Sequence, residues 1–242
     1  MDAWFEEVKR QFVLNFVTDD RWRFLLDGLF ITLRVTFFAL IFGIIIGIVV
    51  AIVRSTYEKN YTEMRPGVGK IILMLINRIC LIYLTVIRGT PVTVQLLIFY
   101  FVVLTNVSSG EIIGIIAFSI NAGAYIAEIF RSGIMSIDTG QFEAGRSLGL
   151  NFVQTMYYII LPQAFKNILP TLANEFIVLL KETSVLGFIA VQDLTRGGTI
   201  ISGRTYSPFM PLIAVALIYL SVVMVLTWLV GKLERRLRAG DR

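Results

Sequence analysis

Long apolar runs with very few charges are the feature that most constrains this chain. Residues 29–53 contain a single charged side chain, Arg34, and residues 209–230 contain none. A helix needs about 20 mostly apolar residues to cross the hydrocarbon core of a bilayer. The runs therefore predict a membrane protein, and we expect its fold class to be all-α.

The composition supports the same class. Of the 242 residues, 56% are hydrophobic and 16% are charged, whereas a soluble domain has about 45–50% apolar and about 25% charged residues. The chain has no histidine and a single cysteine, Cys80. This excludes most zinc, haem and iron–sulfur sites and any intrachain disulfide, so we expect no metal site. The net charge of +5 comes mostly from basic residues that flank apolar runs, which is typical of membrane proteins and not of a nucleic-acid-binding groove.

The pattern predicts about five transmembrane helices. They fall at 29–53, 71–104, 112–130, 168–188 and 209–230. The second region is longer than one crossing, and Pro91 removes a backbone donor near its middle. We interpret it as a helix over 71–87, a kink, and a segment over 92–104 that completes the same span. In the first span, Gly43 and Gly47 form a small-xxx-small pattern, which predicts close packing against another helix.

The segments between the spans give the domain organisation and the orientation. We expect an extracytoplasmic or interfacial segment over 1–28, a transmembrane domain over 29–231 and a basic cytoplasmic tail over 232–242. A frayed tail is the alternative for the first dozen residues. Twelve Lys and Arg residues lie in 54–70, 131–166 and the tail, against six in the other flanks. The positive-inside rule therefore predicts an N-terminus outside and a C-terminus inside.

A polar insert over about 131–163 separates two of the predicted spans and suggests a second function besides crossing the membrane. Its apolar residues predict a short helix, a turn at Gly149, where glycine avoids Cβ strain, and a second helix that ends at Pro162. A helix–turn–helix that stands off the membrane can dock apolar side chains in a groove of a partner and transmit a rigid-body shift. The alternative is an ordinary cytoplasmic loop.

Polar side chains inside the predicted spans are candidates for a substrate pocket, because such groups are costly in lipid unless they face protein or a water-filled cavity. The candidates are Thr90, Gln95, Asn121, Tyr125, Glu128, Glu175, Thr183 and Ser184. Asn121, Tyr125 and Glu128 are four and three residues apart, so they share one helix face.

Glu175 is the most informative of these candidates because it lies near the middle of its span. A buried carboxylate there needs a cation, a donor network or water. One interpretation is an ion pair with Arg88 or Lys181 that holds helices in register. The other is a pocket acid that receives the ammonium group or the basic side chain of a substrate. The sequence leaves both open.

Two stretches of the insert resemble the EAA loop of ABC importer permeases. They read Glu143-Ala144-Gly145-Arg146-Ser147-Leu148-Gly149 and Ile159-Ile160-Leu161-Pro162. The chain departs from the family at Gly145, where alanine is usual. The resemblance implies that this loop couples the chain to a cytoplasmic ATPase through Glu143, Ala144, Gly145, Gly149, Ile159, Leu161 and Pro162.

Three further stretches resemble the polar amino acid family of these permeases. They read Arg88-Gly89-Thr90-Pro91-Val92-Thr93-Val94-Gln95, Asn121-Ala122-Gly123-Ala124-Tyr125-Ile126-Ala127-Glu128-Ile129-Phe130-Arg131, and Asn174-Glu175-Phe176-Ile177 followed by Leu180-Lys181-Glu182-Thr183-Ser184. The family often has aspartate where this chain has Glu182. Together the motifs extend the resemblance over about residues 20–235.

The resemblance implies a MetI-like permease fold and a non-catalytic subunit in the bacterial inner membrane. Its expected partners are a second permease subunit, membrane lipid, two ATP-binding subunits and an extracytoplasmic amino-acid-binding protein. A second copy of the same chain is favoured over a paralogue. The sequence has no G-x-x-x-x-G-K-[ST] loop, so ATP and Mg²⁺ belong to the partner ATPase and this chain needs no cofactor.

The resemblance also implies transport of a polar amino acid, or a relative such as an opine, by alternating access. Glu175 and Glu128 suit a basic cargo such as arginine, lysine or histidine, which is our prediction. Glutamine, with Gln95 and Asn121 as partners, is an alternative, as is methionine or another cargo.

A membrane-embedded enzyme and a channel or scaffold subunit are the rival classes. Without histidine, the simplest catalytic pair in the sequence is Ser184 with Lys181. The motif of residues 174–184 explains both better as pocket or packing residues. A channel would not explain the large insert. We therefore expect no catalytic residue.

Overall fold

The computed structural model describes residues 2–61 and 64–239, and all regular secondary structure in these ranges is helical. The helices are α1 Asp2–Phe12, α2 Trp22–Asn60, α3 Val68–Gly89, α4 Val92–Ile98, α5 Gly110–Met135, α6 Thr139–Ser147, α7 Phe152–Thr155, α8 Leu161–Glu182, α9 Leu194–Thr205 and α10 Phe209–Ala239. Short π segments (Val13–Val17, Phe99–Val103, Met156–Ile160) and 3₁₀ segments (Thr18–Asp20, Thr183–Ile189) join several of them. The predicted all-α class is confirmed.

Four helices in the described part of the chain are long and apolar enough to cross a membrane. They are Trp22–Glu58, Val68–Gly89, Gly110–Met135 and Phe209–Leu237. Three of them contain the first, third and fifth predicted spans, with longer boundaries at one or both ends. The fourth predicted span corresponds to α8, which has 22 residues. It is not among the four, and its sequence is more polar, with the amides Gln163, Asn167 and Asn174 and the charged residues Lys166, Glu175, Lys181 and Glu182.

The predicted division of the second region into two helices at Pro91 is confirmed. The single crossing predicted for both is not, because Val68–Gly89 is long enough to cross by itself and Val92–Val103 is a separate, shorter apolar helix. Thr90 follows α3 with φ −122° and ψ 147°, the extended conformation that a following proline favours. The break before Pro91 therefore separates two helices.

The chain forms two compact units that alternate along the sequence. The first comprises Met1–Ala39, Val92–Phe118 and Ile177–Thr227, and the second comprises Leu40–Pro91, Ser119–Phe176 and Trp228–Arg242. One buried cluster of the first unit consists of Leu25, Leu194, Ile201 and Val215.

Two polar contacts organise the first unit. Asp193 is fully buried and caps α9, where its carboxylate accepts the N–H groups of Thr195 at 3.1 Å and Arg196 at 3.2 Å. Burial raises the pKa of the Asp193 carboxyl, and these two bonds oppose the shift. Arg34, the one charge in the first apolar run, donates to both carboxylate oxygens of Glu111 at 2.5 and 2.6 Å.

The second unit depends on close contact between α2 and α5. A Cβ added at Gly47 would lie 2.6 Å from Ile126 Cγ2 and 3.0 Å from the backbone nitrogen of Ala127, and one at Gly43 would lie 3.1 Å from Ala122 Cβ. The packing predicted from the small-xxx-small pattern is therefore confirmed. Beside this contact, Val50, Cys80 and Ala127 form a buried cluster.

Replacing Gly47 with alanine should destabilise the protein. The new methyl group would overlap Ile126 and rigid backbone, and overpacking of this kind costs about 1–3 kcal/mol. Gly231 is the matched control, since nothing lies within 4 Å of a Cβ at that position of α10. An open helical site gains about 0.5–1 kcal/mol from the same change. The midpoint temperature of thermal unfolding in detergent should therefore fall for Gly47→Ala and not for Gly231→Ala. Equal changes in the two variants would contradict the packing argument.

Candidate functional site

Residues 139–162, here called the coupling segment, contain two short helices joined by a tight turn. Asp138 caps α6 by accepting the Gly140 N–H at 2.6 Å. At the other end, Gly149 N–H bonds to the Arg146 carbonyl at 2.9 Å, and Leu150 N–H bonds to the Gly145 carbonyl at 3.1 Å. This pair of bonds is a Schellman motif. Gly149 has φ +79°, so the turn predicted there is confirmed.

The second helix of the segment has a reciprocal cap at its start. The Asn151 side chain accepts the Gln154 N–H at 2.9 Å, and the Gln154 side chain accepts the Asn151 N–H at 2.9 Å. This capping box satisfies two backbone donors that the helix cannot satisfy itself. Because both sides of the turn are closed by local bonds, the segment has a fixed shape.

A buried cluster attaches the segment to α5 and α8. Its buried members are Ile134, Ile137, Ile160, Ala164 and Ile168, and Phe142, Met156 and Ile159 pack against them. A Cβ at Gly133 would overlap Ile168, so α5 and α8 touch closely here. The segment and the adjoining parts of these helices therefore form one packed body.

The segment also exposes apolar groups. Leu148 is 76% exposed, and Val153, which lines an apolar cavity with Ile48 and Ile52 of α2, is 72% exposed. Glu143 and Ala144 are exposed as well. Leu148 and Val153 are therefore candidates for contact with a partner. Of the remaining residues predicted for coupling, Leu161 and Pro162 are also exposed, Ile159 is half-buried and Gly145 is buried.

The predicted helix end at Pro162 is wrong. Met156–Ile160 is a π-helical turn, in which Leu161 N–H bonds to the Met156 carbonyl, and α8 continues from Leu161 through Pro162. A proline inside an α-helix lacks the N–H for the i−4 bond and clashes with that carbonyl. The wider turn before Pro162 displaces the carbonyl and lets the helix continue.

A cavity of about 480 Å³ lies within the second unit. It is lined by Arg54, Leu81, Leu84, Thr85, Arg88, Gly89, Tyr125 and Glu128. Two of the residues predicted for substrate binding, Tyr125 and Glu128, therefore share one cavity. The guanidinium carbon of Arg88 lies 5.7 Å from the Tyr125 ring centroid, within the range of a cation–π interaction.

Five charged side chains form a connected cluster along this cavity. Arg131 donates to both oxygens of Glu128, from Nη2 at 2.5 Å and from Nε at 3.1 Å. Arg54 donates to Glu58 at 2.6 Å, and Arg131 lies 3.6 Å from the same carboxylate. Arg88 approaches Glu128 only to 3.9 Å.

This cluster was not predicted from the sequence. Its Arg54–Glu58 and Glu128–Arg131 pairs are four and three residues apart, which is the spacing at which side chains meet on a helix. That spacing was the available signal. The contact between Arg88 and Glu128 joins two helices, and no local pattern shows it.

The other predicted pocket residues divide between the two units. In the second unit, Thr90 is exposed, Asn121 is buried and Glu175 is half-buried. In the first, Gln95 and Thr183 are buried, and Ser184 is half-buried. The hydroxyl groups of Thr90 and Thr183 donate to backbone carbonyls of the preceding helices, those of Val86 in α3 and Leu180 in α8, at 2.8 Å each.

Gly145, the departure from the EAA pattern, faces a buried threonine. A Cβ at Gly145 would lie 2.5 Å from Thr155 Cγ2 and 2.7 Å from Thr155 Oγ1, and Thr155 is 1% exposed. The space that alanine would use at position 145 is therefore filled from α7.

Gly145→Ala should loosen the coupling segment, and Thr155→Ala should restore it in the double variant because it removes both overlapping atoms. We expect the single Gly145→Ala change to cost about 1–3 kcal/mol, as overpacking does. Hydrogen exchange over 139–160 would measure it. Slower or unchanged exchange in Gly145→Ala, or no compensation in the double variant, would show that the two side chains do not compete for space.

Comparison with known proteins places the chain in a family. The family model described as binding-protein-dependent transport system inner membrane component matches residues 43–239. The glutamine transport system permease protein GlnP of Escherichia coli is 39% identical over 166 residues, which are 67% of this chain and 76% of that protein. The arginine transport system permease protein ArtQ of Bacillus subtilis is 40% identical over 163 residues, 66% of this chain and 74% of that protein.

Two solved structures resemble this fold. One, described as an amino acid ABC transporter with histidines, has a TM-score of 0.78 and 38% identity, and the match covers 88% of this chain and 94% of that one. A chain of the MetNI methionine ABC transporter has a TM-score of 0.72 and 21% identity over 91% and 99% of the two chains; this match supports the predicted MetI-like fold. With its apolar helices and family match over most of its length, the chain belongs to the inner membrane components of binding-protein-dependent transport systems.

Proposed function

We propose that this chain is the permease subunit of an ATP-driven importer that carries polar amino acids by alternating access. The observation that carries the proposal is the coupling segment, which has closed caps, a buried attachment to α5 and α8, and an exposed apolar surface. A rigid segment of this kind suits the transfer of a displacement from a partner to transmembrane helices.

The proposed assembly has two permease subunits, favoured as two copies of this chain, and two ATP-binding subunits below them. An extracytoplasmic binding protein delivers the amino acid. The N-terminus lies outside and the C-terminus inside, so that the coupling segment faces the ATPase. ATP and Mg²⁺ bind to the partner subunits, and this chain contributes neither a catalytic residue nor a cofactor.

The relatives and the cavity support the choice of cargo. The relatives named above are glutamine and arginine permeases, which supports a polar amino acid. Arg131 donates to both oxygens of Glu128. The proposal of a basic cargo therefore rests on the sequence prediction that Glu175, which does not line this cavity, is the pocket acid. Glutamine is the second candidate because the cavity lining has two arginines and one glutamate, which disfavours an additional positive charge.

Replacing Leu148 with aspartate should weaken binding of the ATP-binding subunit by about 10-fold or more, as expected when an exposed apolar anchor becomes a desolvated charge. The measurement is the affinity of the purified chain for a co-expressed cognate ATPase. Tyr206, which is 94% exposed outside the segment, is the matched control. If Leu148→Asp binds the ATPase as tightly as Tyr206→Asp does, the segment is not the docking surface.

Replacing Glu175 with glutamine separates the two cargoes. In reconstituted importer with its binding protein, a pocket acid predicts that arginine uptake loses about 10-fold or more in affinity, the effect of losing one charged hydrogen bond, while glutamine uptake is unchanged. Glu6→Gln, at an exposed position in α1, is the control. Arginine transport that survives Glu175→Gln with unchanged affinity would rule out the acid-pocket version.

A further inference from the structure

The charged cluster of the second unit has one more positive charge than negative charges. Its members are three arginines, Arg54, Arg88 and Arg131, and two glutamates, Glu58 and Glu128. Arginine remains protonated in proteins. At neutral pH the cluster therefore has an excess of one positive charge beside the cavity, and an anion there would balance it.

Hydrogen bonds place that excess at Arg88. Arg54 donates from both terminal nitrogens, to Asn77 at 3.0 Å and to Glu58 at 2.6 Å. Arg131 donates to both carboxylate oxygens of Glu128. At 3.9 Å the closest approach of Arg88 to Glu128 is too long for a hydrogen bond. Within residues 2–61 and 64–239, the Arg88 side chain makes no hydrogen bond, although a guanidinium group has five N–H donors.

The surroundings of Arg88 leave these donors accessible. Its side chain lines the cavity and is 43% exposed, whereas that of Arg54 is 16% exposed. The Tyr125 ring lies 5.7 Å from the guanidinium carbon. A cation–π contact orients the group through its face and leaves the N–H donors at its edge free.

We propose that Arg88 binds the α-carboxylate of the transported amino acid in this cavity. The planar guanidinium group matches a carboxylate with two parallel hydrogen bonds. The α-carboxylate is common to all amino acids, so this contact selects the class of cargo and leaves the choice of side chain to other residues. The cavity volume of about 480 Å³ falls within the range of about 300–1,000 Å³ that is usual for ligand pockets. The assignment rests on the proposed amino acid transport.

Arg88→Gln tests the assignment, with Arg78→Gln as the matched control. Arg78 is exposed on the same helix and does not line the cavity. Each variant is purified as the full importer with its ATPase, and the binding of four probes is measured without the binding protein. The probes are L-arginine, L-glutamine, L-argininamide and L-glutaminamide. Each amide keeps the side chain and the ammonium group but replaces the carboxylate with a neutral group.

The wild type and Arg78→Gln should bind an amino acid more tightly than its amide. Arg88→Gln should weaken binding of the amino acid by about 10- to 100-fold, the effect expected for a charged hydrogen-bonded contact, and leave binding of the amide unchanged. Arg88→Lys keeps the charge but loses the two parallel hydrogen bonds of the guanidinium group, so its affinity for the amino acid should lie between those of the wild type and Arg88→Gln. Retained amide binding also shows that the variant is folded.

Three results would overturn the assignment. Arg88→Gln could bind all probes as Arg78→Gln does, or it could lose amino acid and amide equally, which would indicate a structural role through Glu128. In both cases amino acid transport by the wild type would leave the proposed function intact. A wild-type importer that neither binds nor moves any of the twenty amino acids overturns the proposed function, and this assignment with it.

Discussion

The structure depends on the requirement that backbone polar groups be paired inside the protein wherever lipid surrounds it. Helices meet this requirement, but lipid gives them little hydrophobic reason to associate, so they pack through close contact of small residues. Gly47 brings α2 against α5 in the second unit. In the first unit, Gly114 and Gly198 also allow close contacts. A Cβ added at these positions would lie 2.5 Å from Leu186 and from Val215, respectively. Polar side chains can then meet across helices without exposure to lipid.

The sequence predicted the fold class and three of the spans because apolar length is a strong signal. It was less informative about where helices end. A proline after a long apolar run is compatible with a kinked span and with two separate helices, and only the length of α3 shows which occurs. Pro162 was read as a helix end for the same reason. The π turn that precedes it has no reliable local signature, because it depends on how the buried cluster holds α8.

The candidate site was predictable where it is local. The turn at Gly149 and the presence of a helix on either side follow from residues adjacent in sequence, so these parts of the segment were predicted. The environment of Gly145 depends on Thr155 from the next helix and was not. The cavity shows the same limit, since its cluster uses α2, α3 and α5. Pairs within a helix can be found by spacing, whereas the contacts of Arg54 with Asn77 and of Arg88 with Glu128 arise from packing.

Helix α5 connects the cavity and the coupling segment within the second unit. Glu128 lines the cavity, and Ile134 belongs to the buried cluster under the segment. They are six residues apart, or about 9 Å along a helix axis. Arg131 moves with Glu128 because both are on α5, but Arg88 is on α3. A shift of α5 against α3 would thus change the separation of Arg88 from Glu128 and leave the Arg131 pair intact. A conformational change couples to cargo only if cargo binds the two states differently, and the contact between Arg88 and Glu128 is a place where such a difference can arise.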